Sequence, residues 1–92
     1  MLSQFPIDLE KVSAENIDKE ILRFGIIAEL DAINLYEQLA AKTKNEKIKE
    51  VFLDIAKEEK THVGEFQAML LELDKEQVEE LEEGKKEVEE MN

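Results

Sequence analysis

Ninety-two residues, 42% of them hydrophobic, make one small domain with little core to spare, so association with further chains is expected. A net charge of −12 argues against nucleic acid and anionic membranes as partners, because both would repel it, and suits a chain that gathers cations. The absence of cysteine excludes disulfides, thiolate metal sites and iron–sulfur clusters. No apolar run is long enough to span a bilayer and "MLSQFPIDLEK" is no signal peptide, so the expected location is the cytoplasm.

Residues 1–13 read as an N-terminal extension, extended over 1–12, with Ser13 as the expected N-cap of a first helix over 14–42. "KTKNEK" is the turn, where Thr43 with Glu46 fits a capping box and Asn45 is the alternative cap. The second helix then runs to Leu73, which makes 14–73 a helical hairpin. Asp74 with Gln77 opens a short, acidic and solvated C-terminal helix over 75–91. The whole is an all-α single domain over 1–92, with too few long helices to close a four-helix bundle alone.

The apolar stripes carry the functional argument. On the second helix, Ile48, Phe52, Ile55, Glu59, His62, Phe66, Met69 and Leu73 step by 4-3-4-3-4-3-4, the spacing of one buried seam. Only Glu59 and His62 are polar in it. On the first helix, Leu22, Ile26, Glu29, Ile33, Tyr36 and Ala40 step by 4-3-4-3-4, and only Glu29 is charged. A Glu three places before a lone His arises by chance roughly one time in five in a chain with 19 Glu, so E-x-x-H alone says little. An ionised carboxylate in an apolar seam is different, because burying it costs several kcal/mol unless it is paired or bound to metal. The alternatives are a buried Glu–His hydrogen bond, or a seam rotated so that Glu29 faces water.

Height along the hairpin supplies a second test. With the turn centred on Lys44, Glu29 lies 15 residues before it and Glu59 lies 15 after it. At about 1.5 Å per residue both sit about 22 Å from the turn, with His62 one turn further. Di-metal carboxylate bundles take a Glu from each of two helices and a Glu-x-x-His from each of two others. This chain supplies half of that set, so a twofold dimer would give four helices, four carboxylates and two imidazoles. Two divalent metals per dimer would neutralise the carboxylates. Oxygen and imidazole ligands suit iron or manganese and tolerate zinc, with calcium a further substitute. Tyr36, two turns after Glu29, either hydrogen-bonds a ligand or donates an electron, or is a packed core residue. Asp31 and Glu65, off the seam, either guide iron inward or are solvated. Gly25 and Gly64 lie mid-helix, where close helix approach is one reason to keep them.

The stretch "IIAELDAINLYEQLA" followed by "AKEEKTHVGEF" resembles the encapsulated ferritins, in the rubrerythrin-like branch of the ferritin superfamily, over residues 18–73. A single Glu, a Tyr seven residues later and a Glu-x-x-His thirty residues on follow that family's pattern. The resemblance implies a ferroxidase that oxidises iron(II) to iron(III) with oxygen at a di-iron site shared by two chains. It implies Glu29, Glu59 and His62 as iron ligands and Tyr36 as a near neighbour. It also implies a ring-shaped decamer of five dimers, housed in an encapsulin shell that stores the mineral. The family's uptake region uses acidic residues near the first ligand. Here Ala28 stands where a second Glu would help, which leaves Asp31. The family's separate cargo proteins end in a Gly- and Leu-containing shell-targeting peptide, which "KKEVEEMN" does not resemble. Either that segment is missing or the chain is a domain of a fusion with the shell protein. Two other readings stand beside this one. One is a non-catalytic helical scaffold or adaptor with a structural Glu–His cluster. The other is a rubrerythrin-like peroxidase, which would need an electron partner because the chain has no rubredoxin cysteines.

Overall fold

The computed structural model describes residues 8–91. A 3₁₀ turn at Leu9–Lys11 precedes three helices: α1 (Ile17–Lys42), α2 (Glu46–Leu73) and α3 (Lys75–Glu89). Among the described residues there is no strand. The expected extended lead-in is therefore bent in its second part, where Asp8 caps the 3₁₀ turn by accepting from the Glu10 N–H at 3.2 Å; its first part, 1–7, lies outside the described residues.

The first helix starts later than Ser13 predicts. Residues 14–16 form a turn closed by Asn16 N–H donating to Ser13 C=O at 3.0 Å. The Ser13 hydroxyl accepts from the Asn16 side chain instead of capping a helical N–H. The α-helical bonding begins with Glu20 N–H to Asn16 C=O. At the hairpin turn Asn45 is the cap: its side chain accepts from Ile48 N–H at 3.1 Å. Thr43 Oγ1 is occupied by Asn45 N–H, so Thr43 and Glu46 form no capping box. The third helix is as anticipated at its start, where Asp74 Oδ1 accepts from Gln77 N–H at 3.0 Å.

Cross-helix contacts show α1 and α2 antiparallel. Gly25 meets Phe66, Glu29 meets His62 and Tyr36 meets Phe52, so positions rise on one helix as they fall on the other. The α1 stripe Leu22–Ile26–Glu29–Ile33–Tyr36–Ala40 is the inward face, with Ile33 and Ala40 buried and the rest half-buried. On α2 the inward face is rotated from the predicted seam. Ala56 and Leu70 are the buried residues, whereas Ile48, Met69 and Leu73 are 44–48% exposed. At 100° per residue, Phe52, Ala56, Glu59, Val63 and Leu70 fall in one arc about 60° wide, and Val51, Ile55, His62, Met69 and Leu73 fall in a second, about 40° wide. The predicted stripe straddles the two. One arc packs on α1; the other is largely bare, with Val51, Met69 and Leu73 exposed and Ile55 and His62 half-buried. Its bareness continues onto α1: Ile21 lines a shallow cleft with Met69 and Leu73. Leu39, five turns after Ile21, has the same phase. A two-helix layer buries only one arc of each helix, and this hairpin carries two.

α3 leaves the end of α2 at an angle, which gives the molecule its flat 47 × 42 × 20 Å outline. Its anchor is the only arginine. Arg23 reaches from α1 to Asp74 Oδ2 at 2.9 Å. Asp74 thus caps α3 and ties it to α1. The Gln77 N–H holds its carboxyl below the usual carboxylate range, Arg23 and Lys19 add to this, and partial desolvation opposes it. A depressed folded pKa means that this group's stabilisation is present above the ordinary value of 3.8 and is lost as pH falls through the lower folded value. The α3 amides are therefore expected to lose protection, relative to their intrinsic exchange rates, below that value. Asp74→Asn, which keeps a capping oxygen but cannot titrate, should flatten that part of the pH response. Hydrogen exchange of α3 across the acid range makes the comparison, and an identical profile in both proteins would exclude Asp74 as the titrating group.

Candidate metal centre

Glu29 sits midway along α1, and Glu59 and His62 sit midway along α2 on successive turns. Both helices are long enough for these positions to be far from fraying ends. The three side chains offer two carboxylate oxygens and an imidazole nitrogen, all within 4.8 Å of one another, and all three residues are half-buried. Among the described residues no other group of three or more ligating side chains converges in this way.

The internal hydrogen bonding does not close the cluster. His62 Nδ1 lies 3.3 Å from Glu59 Oε2 and makes a hydrogen bond there. It also lies 3.4 Å from Glu29 Oε2, but Glu29 Oε2 is buried with no hydrogen-bond partner. One ring nitrogen carries at most one proton, so it can satisfy one of these oxygens and not both. A buried carboxylate oxygen without a donor is costly and needs an explanation. A cation accounts for all three atoms at once: each could offer a lone pair to the same centre. Metal–ligand bonds of about 2.0–2.6 Å place ligand atoms on opposite sides of one ion about 4–5 Å apart. The donor set, two carboxylates and an imidazole with no thiolate, fits iron or manganese and tolerates zinc.

The imidazole is also the most open member. The His62 side chain is 44% exposed, against 19% for each glutamate. Its phase on α2 is that of the bare apolar arc, so the centre is walled by α1 on one side and open on the other.

Tyr36 lies outside this cluster. Its ring stacks on Phe52 with centroids 5.9 Å apart, two turns from Glu29 toward the hairpin turn. Asp31 is half-buried, has an interaction of its own and is not one of the three converging residues, and Glu65 is exposed. A wide groove of about 870 Å³ at the far end, lined by Lys11, Lys19, Arg23, Asp74 and Lys75 among others, contains none of the three. Two features escape a reading of the sequence: the Arg23–Asp74 tie, signalled only by the arginine being unique, and the seat of Phe66 against Gly25.

Comparison with known proteins identifies the family. The rubrerythrin family profile matches residues 20–92. Over 72 residues the chain is 61% identical to the ferritin-like–encapsulin shell fusion protein of Pyrococcus furiosus, a match that takes in 78% of this chain but 21% of that protein. The chain thus spans about a fifth of the length of that relative. The crystal structure of the encapsulated ferritin domain from Pyrococcus furiosus superposes with a TM-score of 0.86 at 52% identity, covering 100% of this chain and 96% of that one. No helix among the described residues is long and apolar enough to cross a membrane. A ferritin-like hairpin with this identity to an encapsulated ferritin domain, matched by the family profile over most of its length, belongs to the rubrerythrin family, among the encapsulated ferritins.

Proposed function

We propose that the chain is a ferroxidase that binds iron(II), passes its electrons to oxygen and releases iron(III) for mineral storage. The observation that carries this reading is the buried, unpartnered Glu29 Oε2 beside His62 Nδ1 and Glu59 Oε2. Glu29, Glu59 and His62 hold the metal. Each chain contributes half of a di-iron site, and a second copy related by a twofold axis supplies the other half. In the loaded site the carboxylates would offset the metal charge, and Glu59 and His62, one turn apart on α2, would bind the same ion in place of their mutual hydrogen bond. The Tyr36–Phe52 stack lies two turns from Glu29, on the side of the hairpin turn.

The assembly proposed is a dimer, five of which form a decameric ring inside an encapsulin shell in the cytoplasm. The relative that is itself an encapsulin shell fusion supports a shell as the partner. Asp31 is a candidate for guiding iron toward the centre.

The scaffold reading has one observation in its favour, the Glu59–His62 hydrogen bond, which a structural cluster would also make. It brings Glu29 within 3.4 Å of His62 Nδ1 but leaves Glu29 Oε2 without a hydrogen-bond donor. Aerobic titration with iron(II), followed by near-ultraviolet absorbance, tests the proposal. A rapid first phase of iron(III) formation equal to one iron per chain is expected, followed by slower turnover as iron(III) is released. Oxidation no faster than in buffer would overturn it.

A further inference from the structure

Glycine is a poor helix former, yet α1 and α2 each carry one near the cluster. The two differ. A Cβ at Gly64 would meet nothing within 4 Å. A Cβ at Gly25 would lie 3.2 Å from Cδ2 and Cε2 of Phe66 and 3.4 Å from its Cγ. Carbon atoms at optimal packing sit about 3.5–4.0 Å apart, so the ring of Phe66 occupies the space that any side chain at position 25 would need.

The location of this contact matters. Gly25 is one turn before Glu29 on α1, and Phe66 is one turn after His62 on α2. The Gly25–Phe66 contact and the Glu29–His62 contact are therefore adjacent rungs of the same hairpin. On the other side stands the Tyr36–Phe52 stack, seven residues from Glu29 and seven from Glu59. The polar cluster is bracketed by two aromatic contacts, ring on ring toward the turn and ring on glycine toward the open end. A helix is stiff over one turn, and packed interiors transmit small displacements. A shift of Phe66 is felt at His62.

We propose that Gly25 is a positioning residue for the cluster. It is the socket that seats Phe66, and the seated ring holds α2 in the phase that brings Glu59 and His62 against Glu29. The consequence for iron rests on the ferroxidase reading above; the consequence for the geometry of the three side chains does not.

The test uses the lone histidine. His62 is the only imidazole in the chain, so its ring nitrogens give nuclear magnetic resonance signals that need no assignment. In the metal-free protein, Gly25→Ala is expected to move these signals, because the bond from His62 Nδ1 to Glu59 changes. Misplacement by a fraction of an ångström should slow initial aerobic iron(II) oxidation about tenfold. Phe66→Leu lacks Cε2 and replaces a planar edge with methyl groups that can rotate away. Added to Gly25→Ala, it should restore most of both signals and rate. Gly64→Ala, placed in open space, should leave both unchanged. If Gly25→Ala alone fails to fold, recovery of the fold and of the imidazole signals in the double variant is the same result. Wild-type signals and rate in Gly25→Ala would overturn the proposal, as would a double variant no better than the single one. If no protein oxidises iron but the imidazole signals follow the expected pattern, the positioning role stands and the ferroxidase reading falls.

Discussion

Replacing Glu29 by methionine is expected to abolish iron(II) oxidation and, in the metal-free protein, to raise stability. The two effects have one cause. Glu29 Oε2 is buried without a hydrogen-bond donor, and a group in that state costs about 1–3 kcal/mol. Methionine has nearly the volume of glutamate, no charge and a good helix propensity, so it removes the penalty without opening a cavity. A metal-free chain carrying Glu29→Met should therefore melt at a higher temperature than the wild type by roughly the equivalent of that penalty, about 4 °C or more for a domain of this size. With the carboxylate gone, α1 offers no ligand, and the site loses one donor per chain.

The direction of the stability change separates the two classes of function. In a scaffold whose Glu–His cluster is structural, each member helps to hold the others, and removing one destabilises. In a metal site, the metal-free state is the strained one, because the ligands have been brought together for an ion. His62→Ala and Glu59→Ala share the expected loss of oxidation, but they also break the hydrogen bond between them, so their stability effects are mixed. Glu29→Met is the cleaner experiment. Thermal melting by circular dichroism with a chelator present, paired with the aerobic oxidation rate, decides it. A destabilised variant that still oxidises iron would remove Glu29 from the site altogether.

The sequence makes the convergence of the three side chains legible, because two simple facts suffice. Each lies in an otherwise apolar stripe, and Glu29 and Glu59 stand equally far from Lys44 along an antiparallel hairpin. The α1 stripe is also legible as the buried face. The α2 face is less so, for a physical reason. Its apolar arc is broad enough to serve two neighbours, and the small residues Ala56 and Val63 at its inner edge look like flanks beside the larger Ile48, Met69 and Leu73. Periodicity finds the arc but cannot say which edge faces inward. The start of α1 is obscure for a different reason: Ser13 can cap a helix or accept from a neighbour, and here Asn16 takes its hydroxyl. The seat of Phe66 on Gly25 depends on which residues meet across two helices, and nothing local encodes that.

Metal is expected to drive assembly. The second arc of the hairpin presents Ile21, Leu39, Val51, Met69 and Leu73, each between 41% and 53% exposed, and His62 shares its phase. A second copy laid on this face would cover the apolar surface and complete the centre with its own Glu, Glu and His. Apolar burial favours that contact at about 25 cal/mol per Å². Without metal, however, the contact also gathers four carboxylates in a desolvated seam, and their repulsion opposes it. Two divalent ions remove the repulsion and add bonds that only the dimer can make. A ligand that binds the dimer alone at a hundredfold excess over its dissociation constant favours it by about 2.7 kcal/mol per site. Iron(II) under anaerobic conditions, and zinc or calcium in its place, should shift the chain from monomer or loose dimer toward a larger symmetric oligomer. Chelator should reverse the shift, and so should acid, because protonated Glu and His do not ligate. Glu59→Ala removes two ligands per dimer and should blunt the response while leaving the apolar face intact. Size exclusion with light scattering, with and without metal, measures it. A mass that is the same in both conditions, for wild type and Glu59→Ala alike, would mean that apolar packing alone sets the oligomer and that metal does not link the two halves.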